Sequence, residues 1–509
     1  MDILHVENMD DYLKMWCGAF GAVDFSGKDI FPTLYWGMRA QNHRGHQSYG
    51  FLTCNGQFNL YKGLDLIPKI KRNEIDSWLD RLPGSMGIAN VRYTTSGGRD
   101  EESLIRGTQP FTAENGNHKI ALSFNGNVVN TVQLTKDIRI AFPNFFYECD
   151  LELISHKLIM GLKRTNDLAS AVKTCMEEVE GAFSIVGVTN HGELFAFKDP
   201  QGIRPLCSGC SQAQKVCAFS SETVGLDIND IDHSFELNPG ELVLAAKNEF
   251  KREQLVDSGK KALCAFEFAY FARPDSRMNG KYVYEVREAF GRNLGREYAD
   301  IAKRCDLIIS LPETSDDAAF GLHEETDLRW ERAIRRHRYV SERAFILLPQ
   351  ERFATIDKKI NILGHKLNGK KIIVVDDSIV RGDTTRVVVE KLRKIGVKEI
   401  HMFITFPRII GPCPYGIDMA TYSELIGATR SPEEIAEEIG ADSVNYQSFE
   451  GFVKATGFRR DELCFGCAAG NYPTPLADRL AKRMREQFDK GYKEIGRLYE
   501  LADLVEKPF

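Results

Sequence analysis

The run Ile372-Ile373-Val374-Val375-Asp376-Asp377-Ser378-Ile379-Val380-Arg381-Gly382-Asp383-Thr384-Thr385 constrains the fold more than any other stretch of the chain. Its four leading β-branched residues fit a strand covered on both faces, as in a parallel sheet. From Thr384 to Lys394 the pattern changes to helical spacing, with Val388, Leu392 and Ile395 on one face and Gly396 closing the run. The order is therefore strand, loop, helix. A loop of this kind turns backbone N–H groups toward an anion at the helix start, Thr384 and Thr385 add hydroxyl donors, and Gly382 lets the main chain approach closely. Asp376 and Asp377 demand a different partner, because two carboxylates repel a phosphate unless they accept hydrogen bonds from sugar hydroxyls or neutralise a divalent cation. A phosphorylated ribose carrying Mg2+ meets both demands. The plainer reading is a strand whose terminal acids cap a helix; the missing Gly-Lys-Ser/Thr ending excludes a Walker-type nucleotide loop.

This segment resembles the phosphoribosyl-pyrophosphate signature of type I phosphoribosyltransferases, and its Asp-Asp-Ser-Ile-Val-Arg-Gly wording resembles the glutamine phosphoribosylpyrophosphate amidotransferase family in particular. Length agrees with a composite enzyme: 509 residues exceed one ordinary core and suggest two large domains with a helical appendage. A net charge of -6 argues against a nonspecific nucleic-acid binder. No apolar stretch reaches membrane-spanning length, and the residues before Cys17 lack a signal peptide's basic start and apolar centre, so the cytoplasm is the expected location. Twelve irregularly spaced cysteines suit reduced thiols, catalysis or metal binding better than a disulfide framework.

From Cys17 to about Leu244 the apolar runs are short and interrupted: Leu122 to Phe124, Phe183 to Val186, Leu194 to Phe197 and Leu242 to Leu244 read as antiparallel strands. Leu151 to Leu162 and Ala169 to Val179 carry helical spacing between them, which predicts an α+β sandwich. The charged stretch from Lys247 to Lys261 reads as a linker. Beyond it strands alternate with helices, Leu307 to Ser310, Ile372 to Val375 and Ile400 to Phe406, the pattern of an α/β domain with a parallel sheet. From Pro475 an amphipathic helix is expected, with Leu476, Leu480, Met484 and Phe488 packing on the chain's own surface. The expected division is a propeptide over 1–16, a glutaminase domain over 17–245, a phosphoribosyltransferase domain over 260–470 and a helical tail over 471–509.

Cys17-Gly18-Ala19-Phe20-Gly21, Asn42-His43-Arg44-Gly45, Arg92-Tyr93-Thr94-Thr95 and Phe124-Asn125-Gly126-Asn127 follow in an order that resembles N-terminal-nucleophile glutaminases. The resemblance implies that Cys17 becomes the first residue of the mature chain and that its α-amine, with an ordinary pKa of about 7.7–8.0, accepts the thiol proton. It further implies an oxyanion site of the Asn125 side chain and the Gly126 N–H, such donors being worth roughly 2.7–4 kcal/mol each. Arg44, Arg92 and Asp150 are the implied glutamine-binding residues, Arg92 forking onto the α-carboxylate and Asp150 holding the α-ammonium. Read without the resemblance, Cys17 is an inert buried thiol, Arg92 a surface charge and Asp150 a helix cap. His46-Gln47-Ser48-Tyr49 departs from the family's wording and sets Tyr49 near the glutamine pocket, and Lys14-Met15-Trp16 replaces the usual acidic stretch before the cleavage point.

In the second half, Phe266 to Ser276 and Pro312-Glu313-Thr314-Ser315 also resemble the family. The resemblance implies Mg2+ among Thr314, Asp376 and Asp377, with Ser378, Gly382, Thr384 and Thr385 gripping the 5-phosphate. Arg338 and Arg343, in a segment resembling the family's mobile loop, are implied at the departing pyrophosphate. Asp383 stands where the phosphate loop commonly has Thr, an acid that weakens phosphate binding unless it faces away. Cys464-Phe465-Gly466-Cys467 has metal-ligand spacing and alone suits zinc, an iron–sulfur cluster or a redox disulfide. With Cys264 and Cys413 it matches the positions that hold a 4Fe-4S cluster in clustered family members, zinc being the alternative. Cys207, Cys210 and Cys217 read as structural.

The implied reaction takes phosphoribosyl pyrophosphate, glutamine and water to 5-phosphoribosylamine, glutamate and pyrophosphate, the entry to purine synthesis. Purine nucleotide inhibitors and a homo-oligomer are expected from the resemblance; nucleic acid and membrane partners are not. A binding or regulatory paralogue without glutaminase activity and an ammonia-dependent transferase remain the alternatives.

Overall fold

Two antiparallel sheets face each other in the first half. The structure, a computed structural model, describes residues 17–93, 101–246, 249–336, 360–492 and 494. The first sheet uses β1 (Gly18–Asp24), β2 (Ser48–Cys54), β3 (Phe58–Leu64), β4 (Met86–Arg92), β9 (Cys207–Ser211), β10 (Val216–Ser220) and β11 (His233–Glu236), in the order β11-β9-β10-β1-β4-β2-β3. The second uses β5 (Phe111–Asn115), β6 (His118–Val128), β7 (Gly181–Thr189), β8 (Leu194–Lys198), β12 (Glu241–Ala246) and β13 (Glu249–Gln254), in the order β13-β12-β8-β7-β6-β5. Side-chain alternation along β1 explains the layering. Ala19 and Val23 join the core between the sheets with Ile88, Val186 and Val188, whereas Phe20 and Ala22 face Leu34 and Met38 of the helix Phe31–Arg39. The sheets meet closely at Gly21, where a Cβ would stand 2.5 Å from Val186. The helices Asp150–Thr165 and Leu168–Glu178 cover the far face of the second sheet.

The expected strands and helices of this half are all present. The linker expected from Lys247 to Lys261 is corrected: Glu249–Gln254 is an edge strand, paired with β12 from Glu241↔Gln254 to Ala246↔Glu249. Its charges are those of an exposed edge, where they discourage pairing with another chain.

The second half is doubly wound. Four parallel strands, Leu307–Ser310, Lys371–Asp376, Glu399–Ile404 and Ser443–Tyr446, lie in that order. Ile372 and Val374 pack with Val388 and Leu392 of the helix Asp383–Ile395 on one face, and Ile373 and Val375 pack with Leu294, Ala318 and Leu322 on the other. The tail helix Pro475–Asp489 lies in the apolar core where the halves meet, with Leu480 and Met484 buried beside Phe266, Phe406 and Tyr415. Its first turn is anchored on the first half, because the N–H of Ala477 donates to Glu180 at 3.3 Å. Among the described residues no helix is long and apolar enough to cross a membrane.

Candidate active sites

Strand register brings the first constellation together. Gly18 pairs with Val91, so Cys17 stands opposite Arg92 at the open end of the β1–β4 ladder. Cys17 is buried, and burial pushes its thiol up; the Arg92 and Arg44 guanidiniums and the Tyr93 N–H oppose that shift, and Asp150 adds to it. The net direction is upward, which keeps the thiol protonated near neutrality, so it can attack a substrate only with a proton acceptor at hand. Asp150 opens its helix and accepts from the N–H of Val128 at 2.9 Å, which ties it to β6 just beyond Asn125 and Gly126. Asn125 is wholly buried in the β6–β7 pairing, and neither its amide nitrogen nor its amide oxygen has a hydrogen-bond partner among the described residues. At Gly126 a Cβ would stand 1.9 Å from the Ala182 carbonyl oxygen, so only glycine fits. Gly107, which gave no sequence signal, makes room for Arg92: a Cβ there would lie 2.3 Å from Nη1.

Arg44 is spent differently from the expectation. Its Nη1 donates to Glu222 at 2.5 Å and to Glu267 at 3.1 Å, its Nη2 to Glu267 at 2.8 Å, and its Nε to the Cys17 carbonyl at 3.4 Å. The guanidinium is thus a buried clamp joining the Cys17 backbone to the second half. Tyr49 does not face this centre. It packs with Phe51 and Tyr61 in the core under Phe31, where Gly63 leaves space for its ring.

The second constellation lies at the carboxyl ends of the parallel strands, where ligands of doubly wound folds bind. Asp376 ends the strand Lys371–Asp376, and the N–H of Asp377 donates to its Oδ1 at 2.9 Å. Thr314 and Ser378 each donate to Asp377 at 2.6 Å, and Ser315 to Asp376 at 3.4 Å. Burial pushes both acids up, and Asp377 raises Asp376 further. Gly382 takes the left-handed conformation, φ +88°, at the start of the helix that carries Thr384 and Thr385. The Thr384 hydroxyl is buried without a partner among the described residues. Asp383 turns to Arg386 at 3.6 Å, so its charge is paired beside the loop. Arg338 and Arg343 lie outside the described residues, as do residues 1–16. Arg287 is the residue the sequence reading missed: fully buried, it donates to the carbonyls of Phe268, Tyr270 and Ala272, and its charge favours the ionised forms of Asp317 and Asp377. An arginine among Val283, Val286 and Phe290 on one helix face was the available signal.

The four cysteines converge in the central core. Cys264, in the two-residue strand Leu263–Cys264, pairs directly with Cys464, in the strand Leu463–Cys464, and the N–H groups of Ile410 and Gly411, just before Cys413, donate to the Cys467 carbonyl at 2.8 and 3.0 Å. All four are free thiols. Burial pushes each of them up; Cys467 feels the other three, and the Arg204 guanidinium counters the shift at Cys264 and Cys413. Among the described residues no three or more His, Cys, Asp and Glu stand at metal-binding geometry. Cys210 and Cys217 face each other across β9 and β10 and form a disulfide, and Cys207 is a free buried thiol.

A glutamine amidotransferase domain model matches residues 101–227. The amidophosphoribosyltransferase of Methanocaldococcus jannaschii is 36% identical over 478 residues, covering 90% of this chain and 98% of the relative. The chain belongs to the amidophosphoribosyltransferase family. The Bacillus subtilis amidophosphoribosyltransferase is 34% identical, covering 90% of this chain and 94% of its own. The solved glutamine phosphoribosylpyrophosphate amidotransferase of B. subtilis, complexed with ADP and GMP, superposes with a TM-score of 0.79 at 31% identity, over 90% of this chain and 98% of that one. Family membership accounts for the pairing of a glutaminase half with a phosphoribosyltransferase half in one polypeptide.

Proposed function

We propose that this chain converts phosphoribosyl pyrophosphate, glutamine and water to 5-phosphoribosylamine, glutamate and pyrophosphate, the entry to purine synthesis. The observation that carries the reading is the convergence of Arg92, Arg44, Asp150 and the Tyr93 N–H on one buried thiol, in a chain whose other half buries a pair of acids at the carboxyl end of an inner parallel strand. Cys17 attacks the glutamine amide, and removal of residues 1–16 gives it an α-amine to accept the thiol proton that burial holds in place. Asn125 and the Gly126 N–H receive the oxyanion, Arg92 the substrate α-carboxylate and Asp150 its α-ammonium. Arg44 acts as a clamp on the nucleophile's backbone. The first domain then spans 17 to about 254 and the second about 260–470, followed by the tail helix.

Asp376 and Asp377 bind the ribose side of phosphoribosyl pyrophosphate, Ser378, Gly382, Thr384 and Thr385 its 5-phosphate, and Arg338 and Arg343 the departing pyrophosphate. Two buried acids, both pushed up, suit a divalent cation, and Thr314, Asp376 and Asp377 would hold Mg2+, which supplies charge neutralisation to the pyrophosphate. Four free, mutually close thiols suit an all-thiolate donor set, so Cys264, Cys413, Cys464 and Cys467 would hold a 4Fe-4S cluster, which would tie three segments of the second half together. Purine nucleotides are the expected inhibitors, supported by the nucleotides in the B. subtilis complex, and the enzyme acts as a cytoplasmic homo-oligomer.

The test is glutamine-dependent pyrophosphate release by the wild type beside Cys17→Ala, with intact-mass measurement of the amino terminus. Loss of the glutamine-dependent rate with retention of an ammonia-dependent one is expected. A glutamine-dependent rate that ignores the substitution refutes the glutaminase assignment, and a mature chain that keeps residues 1–16 removes the proposed base.

A further inference from the structure

Asn125 makes no hydrogen bond through its own amide among the described residues, so its placement depends on the backbone on either side of it. On one edge β6 outruns its partner. β5 begins at Phe111, paired with Leu122, and the same register sets Gln109 opposite Phe124, the residue before Asn125. The ladder stops at Phe111, and the Gln109 side chain supplies the acceptor that the next rung lacks: Oε1 accepts from the Phe124 N–H at 2.7 Å, and Nε2 donates to the Cys149 sulfur at 3.7 Å, which turns Oε1 toward the strand. The Phe124 carbonyl is held from the other sheet, where Asn90 Nδ2 donates to it at 3.2 Å. Gln109 and Asn90 are both buried, 1% and 0% exposed. Gly50 lets the Gln109 backbone sit tightly on β2, since a Cβ there would lie 2.2 Å from the Gln109 carbonyl oxygen. Two amides in the core of a sandwich are expensive to bury and fix one peptide unit from both sides.

We propose that Gln109, assisted by Asn90, is a positioning residue for glutamine hydrolysis: it clamps the Phe124 peptide and so aims the Asn125 amide at the oxyanion. This inference rests on the reading of Asn125 as an oxyanion donor. Oxyanion stabilisation depends on donors fixed before the charge develops, and a displacement of 1 Å at such a site lowers the rate by about a hundredfold. The clamp therefore acts on kcat and leaves the ammonia-dependent reaction of the other half alone.

The experiment compares glutaminase kcat and KM in the full-length wild type, Gln109→Met, Asn90→Ala, Asn125→Ala and the double variant Gln109→Met/Asn125→Ala, with ammonia-dependent phosphoribosylamine formation as the control for folding. Gln109→Met is expected to lower kcat by about tenfold to a hundredfold with a smaller change in KM. Asn90→Ala should act in the same direction, and the ammonia-dependent rate should hold. Because Gln109 works through Asn125, adding Gln109→Met to Asn125→Ala should cost little more. An equal loss in both backgrounds, or an unchanged kcat in Gln109→Met and Asn90→Ala, overturns the assignment. If Gln109→Met fails the ammonia control, Asn90→Ala decides alone, with the same outcomes. Full glutaminase activity in Asn125→Ala overturns instead the oxyanion reading beneath it.

Discussion

Replacing Arg44 by Met should destabilise the protein by about 3–5 kcal/mol, the range for stranding buried charges by removing one partner. The side chain is 1% exposed and its guanidinium meets two carboxylates that are themselves buried, Glu222 and Glu267. The damage is unequal. Glu222 keeps His43 Nε2 at 2.7 Å, the Arg273 N–H at 2.9 Å and the Ser276 hydroxyl at 2.6 Å, whereas the cation left beside Glu267 is Arg204 at 3.8 Å. Most of the loss therefore falls on Glu267, and Arg44→Met/Glu267→Leu should recover a large part of it. The pH dependence follows from Glu222. Burial pushes its carboxyl up, but His43 and Arg44 outweigh burial and hold it well below the usual carboxylate range. A depressed folded-state value contributes stability that is present above the unfolded carboxyl pKa of about 4.3 and is lost as pH falls through the folded value. Without Arg44 the depression shrinks, so the gap between wild type and variant holds from neutral pH down to about pH 4 and narrows only below it, between the variant's folded value and the lower wild-type one. Urea unfolding followed by circular dichroism at about pH 7.5 and about pH 3.5 measures both effects. A loss below about 1 kcal/mol, the worth of an exposed pair, or a gap that widens in acid, refutes the reasoning.

Asp376→Asn should stabilise the ligand-free protein at neutral pH by at least about 1 kcal/mol while abolishing transferase activity, because it removes one of two buried like charges; a lower melting temperature contradicts this. Since Asp376 and Asp377 are both pushed up, binding of a divalent cation should release protons and weaken as pH falls, which calorimetry in two buffers of different ionisation enthalpy will show. Gly126→Ala should lower the glutamine-dependent rate by about a hundredfold and destabilise by about 1–3 kcal/mol, because the added methyl meets the Ala182 carbonyl at 1.9 Å and the β6–β7 ladder must part. Anaerobically purified protein should show iron–sulfur absorption in the visible that Cys464→Ser removes; zinc in its place decides for the alternative metal.

The four inner strands of the second sheet, three of the four parallel strands and the tail helix were legible because each depends on local periodicity, as the Val388–Leu392 spacing shows, whereas no strand of the first sheet was named. What the sequence hid is set by partners far away in the chain. Arg44 read as a substrate ligand because its true partners, Glu222 and Glu267, lie 178 and 223 residues distant and are invisible to spacing. Gly107 matters only through the guanidinium it admits, and Tyr49 was assigned to the pocket from its neighbours in sequence although strand alternation turns it into the core. The charged run after Lys247 was read as a linker because an exposed edge strand and a linker have the same composition.

The junction of the halves is where the fold and the chemistry meet. From the Cys17 carbonyl, the Arg44 guanidinium reaches Glu267, the first residue of a five-residue π-helical turn, Glu267–Phe271. The Phe268 and Tyr270 carbonyls of that turn, and that of Ala272 beyond it, are gripped by Arg287, whose charge lies within reach of Asp377. Nearly every group in this chain of contacts is buried, so each interaction is screened far less than a surface pair would be. A π-turn widens the backbone and leaves carbonyls for side-chain donors, and one arginine satisfies two of them together with the Ala272 carbonyl that follows. Turn and arginines thus form one buried network, with Asp377 at one end and the Cys17 backbone at the other. The Cys17 end is held across the interface, because the guanidinium that reaches its carbonyl is fixed by Glu267 of the second half.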